Sequence, residues 1–219
     1  MTPRHFRDRR EAGRLLSKLL LHYAARRDVV VLALPRGGVP VAFEIARALN
    51  APLDVLTIRK LGVPGCSEFS MGAIGSGGTQ VLDTGFIDRL GISPREVLDA
   101  VERERRELNR RLSLYRDHRP FPRIEGNIVV LVDDGLATGA SMYVAVDALR
   151  NMRPARIVVA VPVAPSGTCR LFRSHADDVV CLQTPEPFLA VGTWYDDFAQ
   201  LSDDEVRALL DGAALQPAL

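Results

Sequence analysis

A chain of 219 residues with 47% hydrophobic and 25% charged residues is long enough to bury one core of ordinary size, and its apolar content excludes a disordered protein. A formal net charge of +1 provides no overall attraction to nucleic acid or to an anionic membrane, so any anion site must be built locally. The three cysteines lack the spacing of a metal site or a CxxC pair, and no apolar run approaches the roughly 18 residues of a membrane-spanning helix, so we expect a soluble protein of the reducing cytoplasm.

The first predicted elements form a helix followed by a strand, a tight loop and a second helix. Leucines at helical spacing predict an amphipathic helix over residues 7–26, with its arginines on a solvated face. The continuous apolar run 29–34 is typical of a strand buried on both sides. Pro35-Arg36-Gly37-Gly38 ends this strand, and a helix is predicted over residues 39–49.

A second buried strand is predicted over residues 53–58, and a long loop rich in Gly, Pro and Ser over residues 59–84. Within this loop, residues 73–74 and 80–82 flank four small residues and favour a short hairpin.

The remaining elements alternate between helix and strand. Helices are predicted over residues 94–116, 138–151, 166–173 and 202–210, and strands over 128–132, 157–161 and 179–182. This alternation predicts an α/β fold with a mainly parallel sheet, helices on both faces and ligands at the carboxyl ends of the strands. We expect one domain, with an N-terminal helix (1–27), a core (28–184) and a closing segment with the last helix (185–219).

The segment from Val129 to Ser141 combines a buried strand, two acids and a turn of small residues that opens a helix. The unpaired N–H groups at a helix amino terminus can hold a phosphate, helped by the Thr138 and Ser141 hydroxyls. Asp133 and Asp134 are placed to accept hydrogen bonds from vicinal hydroxyls of a sugar, each contributing on the order of 1.5–3 kcal/mol.

This segment resembles the phosphoribosyl pyrophosphate motif of type I phosphoribosyltransferases. It departs from that motif at Gly135, where the family usually has a bulky apolar residue, and at Ala140, where glycine is common. The resemblance implies the type I phosphoribosyltransferase fold, phosphoribosyl pyrophosphate as substrate and Mg²⁺ as cofactor, with Asp133 and Asp134 near the metal. The turn residues that would hold the 5′-phosphate are Ala137, Thr138, Gly139, Ala140 and Ser141.

Other elements of the family occur in the same order along residues 29–204. The segment Pro35–Pro40 resembles the pyrophosphate loop, in which Arg36, Gly37 and Gly38 would hold the leaving group. Arg59 and Lys60 resemble the basic pair that precedes a flexible catalytic loop, with Lys60 in a catalytic role and the following residues as a lid. The lid would exclude water from a transition state with oxocarbenium character.

Residues 185–196 resemble the hood that covers the base in the hypoxanthine-using branch of the family. One extra residue separates Phe188 from Gly192, so Phe188, Trp194 and Tyr195 all remain candidates for stacking on the base, and packing is an equal alternative for them. Asp196 is a candidate to reach the metal directly or through water.

The acceptor base stays open. Ala137 occupies the position where hypoxanthine and guanine enzymes have an aspartate, which argues against 6-oxopurines, while residues 136–139 and 59–65 resemble the adenine-using branch. We expect a nitrogenous base, a purine rather than a pyrimidine, and a homodimer by analogy with the family. The alternative is a non-catalytic sensor of phosphoribosyl pyrophosphate or a nucleotide, which would use a basic surface that includes Arg7, Arg9, Arg10, Arg14 and Lys18.

Overall fold

A computed structural model describes residues 4–64, 66–116 and 119–214. In chain order the helices and strands are α1 (Arg9–Ser17), β1 (Val29–Ala33), α2 (Gly38–Leu49), β2 (Leu53–Val55), β3 (Ile58–Val63), β4 (Cys66–Gly75), β5 (Gln80–Leu82), α3 (Thr84–Leu90), α4 (Pro94–Arg116), β6 (Ile128–Val132), α5 (Ala140–Asn151), β7 (Arg156–Val163), α6 (Ser166–Phe172), β8 (Asp178–Gln183) and α7 (Asp203–Ala214). Short 3₁₀ helices lie at Lys18–Tyr23, Ser76–Gly78 and Val191–Trp194.

Five parallel strands form the central sheet in the order β2-β1-β6-β7-β8. The middle strands β1 and β6 are buried along their whole length, because parallel sheets are covered on both faces and therefore use continuous β-branched runs. The order steps outward from β1 in one direction to β2 and in the other to β6. The carboxyl ends of β1 and β6 therefore lie side by side, with Ala33 opposite Val132, at the place where α/β folds bind ligands.

Helices cover both faces of this sheet, as predicted. One face packs on α1, α2 and α7 in a core that includes Leu16, Ile45 and Leu209. The other face packs on α5 and α6 in a core that includes Met142 and Phe172. Among the described residues, no helix has the length and apolar character needed to cross a membrane.

The segment expected to be a long loop over residues 59–84 is a second sheet instead. Strands β3, β4 and β5 pair antiparallel, and the predicted hairpin is confirmed by the pairing of Ala73 with Val81. One face of this sheet packs on α4, where Leu61 and Met71 share a core with Val101 and Leu108. The ribbon of β3 and β4 thus gives the expected lid a framework of backbone hydrogen bonds, interrupted by register shifts around Gly62.

Three local predictions need correction. The first helix is shorter than residues 7–26: α1 starts after Asp8, whose side chain accepts from the Glu11 N–H, and continues as a 3₁₀ helix. The predicted second strand is two strands, β2 and β3. Cys169 and Cys181, which the expected reducing cytoplasm would keep as thiols, form a disulfide between α6 and β8. The side chain of Cys66 lies outside the described residues.

Candidate functional site

The two acids of the motif lie at the carboxyl end of β6, in the middle of the sheet. The Asp134 N–H donates to Oδ1 of Asp133 at 2.9 Å, which fixes the turn after the strand. Burial raises the pKa of Asp133 well above its usual range, and the neighbouring charge of Asp134 adds to this effect. Burial also raises the pKa of Asp134. Carboxyls with raised pKa values at the end of a parallel strand are typical of a ligand site rather than of a surface turn.

Arg9 contacts this acid pair from the N-terminal helix. Its Nε donates to Oδ2 of Asp134 at 2.8 Å, and the two side chains are only 11% and 14% exposed. Arg9 was expected on a solvated face, and this expectation is wrong. No signal in the sequence separates Arg9 from the other arginines of the helix, because its partner is 125 residues away along the chain.

Gly37 and Gly38 of the predicted pyrophosphate loop lie directly against the acids. A Cβ atom on Gly37 would be 2.0 Å from Oδ2 of Asp134, and one on Gly38 would be 2.7 Å from the Val132 carbonyl oxygen. A side chain at Gly37 would therefore displace the Asp134 carboxylate, and one at Gly38 would displace the end of β6. The structure brings this loop and the acid pair into one site, as the resemblance implied.

The predicted phosphate turn precedes α5 and is supported by α6. The first hydrogen bond inside the helix runs from the Tyr143 N–H to the Gly139 oxygen, so the preceding N–H groups point out of the helix end. Gly139 has φ of 76° and lies against the ring of Phe172, where a Cβ would be 2.4 Å from the ring. The Thr168 hydroxyl donates to the Ala137 oxygen at 3.0 Å.

Lys60 and the last residue of the phosphate turn, Ser141, line one small pocket of about 130 Å³. Pro35 of the glycine loop and Arg111 of α4 also line it. No local signal in the sequence distinguishes Arg111 from the other arginines of the helix predicted over residues 94–116. The pocket gathers two cations next to the helix end, a combination suited to an anion.

Arg59 does not share this pocket. Successive side chains of a strand point to opposite faces, so Lys60 and Arg59 diverge. Arg59 turns toward α4, and its Nη2 lies 2.6 Å from Oε2 of Glu104. Of the expected basic pair, only Lys60 lies with the other site residues.

Arg36 lies near the last helix. Its Nη1 is 3.9 Å from Oδ1 of Asp203, the same oxygen that accepts a hydrogen bond from the Tyr115 hydroxyl. Burial, followed by that hydrogen bond, raises the pKa of Tyr115 to about 12. The side chain of Arg36 is about one-third exposed.

The hood segment packs on the acids through Tyr195 and Val191. The Tyr195 hydroxyl donates to the Asp134 carbonyl oxygen, and burial raises the pKa of Tyr195. Val191 fills the space where a Cβ on Gly135 would be, 2.5 Å from the Val191 Cγ1. This contact explains why glycine stands where the family usually has a bulky residue.

The aromatic residues of the hood take part in packing. Phe188 and Trp194 both lie against a small core that contains Phe6 and Tyr195. The Nε1 atom of Trp194 is buried and has no hydrogen-bond partner among the residues that the structure describes, so a ligand or a water molecule could satisfy it.

Asp196 does not join the acid pair in a metal cluster. It lies 3.7 Å from Nδ1 of His5, and the described parts of the chain hold no group of three or more His, Cys, Asp or Glu residues suited to a metal. Asp133 and Asp134 alone still fit Mg²⁺, which commonly uses one or two carboxylates together with substrate phosphates and water.

Comparisons with known proteins agree on one family. A family model described as a phosphoribosyl transferase domain matches residues 7–197. Two Mycobacterium tuberculosis proteins, from strains CDC 1551 and H37Rv, are each 47% identical to this chain over 209 residues. Each is provisionally named a phosphoribosyl transferase. These alignments cover 95% of this chain and 47% of each relative, so the chain spans about half the length of those relatives.

Two further proteins extend the comparison. The crystal structure of TT1426 from Thermus thermophilus is 43% identical with a TM-score of 0.81, over 94% of this chain and 97% of that one. The bifunctional protein PyrR of Roseiflexus is 35% identical over 156 residues, which are 70% of this chain and 65% of that protein. The family model, which covers most of the chain, confirms the resemblance to phosphoribosyltransferases.

Proposed function

Since the chain belongs to the family of phosphoribosyl transferase domains, we propose that it transfers the 5-phosphoribosyl group from phosphoribosyl pyrophosphate to a nitrogenous base and releases pyrophosphate. The observation that carries this proposal is the contact between the glycine loop and the acid pair. Gly37 and Gly38 touch Asp134 and Asp133 so closely that neither glycine could bear a side chain. Such contact would bring a pyrophosphate site next to a ribose site.

Each part of the site has a role in this reaction. The turn 137–141 anchors the 5′-phosphate through the N–H groups of the α5 amino terminus, and Asp133 and Asp134 accept hydrogen bonds from the ribose hydroxyls. Arg36 and Lys60 stabilise the negative charge that develops on the departing pyrophosphate. The chain supplies orientation and charge stabilisation, and no residue forms a covalent bond to the ribose.

We assign Mg²⁺ to the same site as cofactor. Asp133 and Asp134 would hold it, and when bound it would neutralise charge on the pyrophosphate. Asp196 is left out of this assignment because, among the described residues, it does not cluster with the two acids.

For the acceptor we propose a purine rather than a pyrimidine, covered by the hood segment. Ala137 lies in the turn and has no acid with which to exchange a proton with the base, so the base must be recognised by other groups.

The contacts of the N-terminal arginines argue against the sensor alternative. Arg9 is buried against Asp134, and its neighbours Arg7, Arg10 and Arg14 all lie within 4.0 Å of an acidic oxygen. These pairs reduce the positive charge that a nucleic-acid surface would need.

The test is pyrophosphate release from phosphoribosyl pyrophosphate with Mg²⁺ and a panel of purine and pyrimidine bases, run beside calorimetry with phosphoribosyl pyrophosphate alone. We expect release that depends on one base. Binding without release would favour the sensor, and the absence of both binding and release would refute the proposed function.

A further inference from the structure

We propose that Arg9 is a positioning residue for the acid pair, which makes the N-terminal helix part of the ribose site. This inference rests on the proposed function. It assigns a role to a residue that lies far from every motif of the site in the sequence.

The first support is the contact between Arg9 and Asp134. The Arg9 Nε donates to Oδ2 of Asp134 at 2.8 Å, and both side chains are nearly excluded from solvent. One oxygen of the carboxylate is therefore engaged, and Oδ1 remains as the oxygen that can meet a ribose hydroxyl. A buried charged hydrogen bond restricts the carboxylate to one rotamer more firmly than an exposed pair would.

The second support is the close approach of the pyrophosphate loop to Asp134. The Oδ2 atom that Arg9 holds is also the atom that a Cβ on Gly37 of the pyrophosphate loop would meet first, at 2.0 Å. Rotation of this carboxylate would change its contact with the loop. Arg9 therefore sets the position of Asp134 relative to both the ribose and the pyrophosphate sites.

The third support is that Arg9 connects the acids to the segment after the hood. Its Nη1 donates to the Ala199 carbonyl oxygen at 2.9 Å, and its guanidinium carbon lies 3.8 Å from the centre of the Phe198 ring. A single side chain thus bridges α1, the acid turn and residues 198–199. Lysine could not reproduce this arrangement, because it lacks the planar set of donors.

Arg14 of the same helix is placed differently. It lies 3.9 Å from Glu44 with its side chain 44% exposed, and that contact is on α2 and away from the acid turn. Arg14→Met is therefore a matched control on α1.

The experiment compares Arg9→Met, Arg9→Lys and Arg14→Met with the wild type. In steady-state kinetics with Mg²⁺, we expect Arg9→Met to raise the KM for phosphoribosyl pyrophosphate by about 10- to 100-fold, with the KM for the base unchanged. Arg9→Lys should recover part of this loss, and Arg14→Met should match the wild type. A loss of folded protein alone would lower kcat and leave both KM values unchanged.

An unchanged or lower KM for phosphoribosyl pyrophosphate in folded Arg9→Met would overturn the inference. Arg9 would then have no effect on substrate binding by Asp134, or would hinder it. If Arg9→Met does not fold, the same comparison is made with Arg9→Lys, for which an unchanged KM is the overturning result.

A measurement without ligand separates this inference from the proposed function. Amide hydrogen exchange should accelerate at residues 133–141 and 196–200 in Arg9→Met and not in Arg14→Met. If the wild type neither binds nor turns over phosphoribosyl pyrophosphate, the proposed function fails, and the exchange data still decide whether Arg9 orders the acid turn. Equal exchange in both variants would refute the positioning role.

Discussion

At the scale of single residues, Asp133 is held where its ionised form is unfavourable. Burial and the charge of Asp134 raise its pKa, while the Asp134 N–H that donates to it offsets only part of this effect. Sites that bind cations and hydroxyl groups often destabilise the free protein in this way, and binding of the ligand offsets the destabilisation.

This burial predicts a pH dependence of stability in the absence of ligand and Mg²⁺. A carboxyl whose folded pKa is raised favours the folded state at low pH, and that contribution is lost as the pH rises through the folded pKa. Asp133→Asn removes the charge and should raise the melting temperature at neutral pH by about 2–4 °C for each kcal/mol relieved.

The gain from Asp133→Asn should disappear below about pH 4, where the wild-type carboxyl is also protonated. Thermal melts across this pH range check the prediction. A variant that is less stable than the wild type at every pH would contradict the assigned burial cost.

The contact between Gly37 and Asp134 predicts that Gly37→Ala disables the site. The added Cβ would be 2.0 Å from Oδ2 of Asp134, so the carboxylate must move, and affinity for phosphoribosyl pyrophosphate should fall by more than about tenfold. Gly167→Ala is the control, because nothing described lies within 4 Å of its new Cβ. Calorimetry with phosphoribosyl pyrophosphate measures the affinity of both variants. Equal affinities would contradict a role for the contact between Gly37 and Asp134 in binding.

Arg111 and Arg110 offer a matched pair on α4. Both bond to Glu107, but of the two it is Arg111 that lines the pocket with Lys60 and Ser141. We expect Arg111→Ala to weaken binding of pyrophosphate by about three- to tenfold and Arg110→Ala to have little effect. Similar losses in both variants would assign the effect to the helix surface and not to the pocket.

Residues that belong to a contiguous motif were predictable, and residues brought in from elsewhere were not. Asp133, Asp134 and the turn that follows them stand together in the sequence, so strand, acids and helix end could be recognised at once. Arg9 and Arg111 look like ordinary charges on exposed helices, and their role depends on tertiary packing that no local pattern encodes. The divergence of Arg59 from Lys60 follows from the alternation of side chains along β3.

At the scale of elements, the central sheet was the most predictable part, because its buried strands are runs of β-branched residues. The sequence predicts a loop over residues 59–84, where the structure has the small sheet. Glycines at 62, 72 and 75 and the register shifts around Gly62 hide the alternation that marks an antiparallel strand. In the sequence, only the short hairpin at residues 73–82 indicates the pairing of these strands.

The disulfide between α6 and β8 predicts a redox-dependent stability. It closes a loop with a sequence separation of 12, and such a loop contributes about 3 kcal/mol to the free energy of unfolding. Reductant should lower the denaturation midpoint of the wild type and leave that of the Cys169→Ser, Cys181→Ser variant unchanged. Equal midpoints for the wild type with and without reductant would show that the bond contributes nothing in solution.

At the scale of the whole molecule, both ends of the described chain approach the site. Arg9 of α1 contacts Asp134, and Asp203 of α7 lies near Arg36. The predicted division into an N-terminal helix, a core and a closing segment stays a prediction, but these contacts argue that the parts work as one unit. The placement of the site at the carboxyl ends of β1 and β6 followed from the alternation of strands and helices alone.

Binding of the ribose of phosphoribosyl pyrophosphate by Asp133 and Asp134 is the step on which the proposed transfer depends, and the double variant Asp133→Asn, Asp134→Asn tests it. Base-dependent release of pyrophosphate should be abolished while the variant stays folded, because both acids lie at the carboxyl end of β6, beyond its ladder of backbone hydrogen bonds. Release at the wild-type rate from a folded double variant would show that the two acids do not bind the ribose.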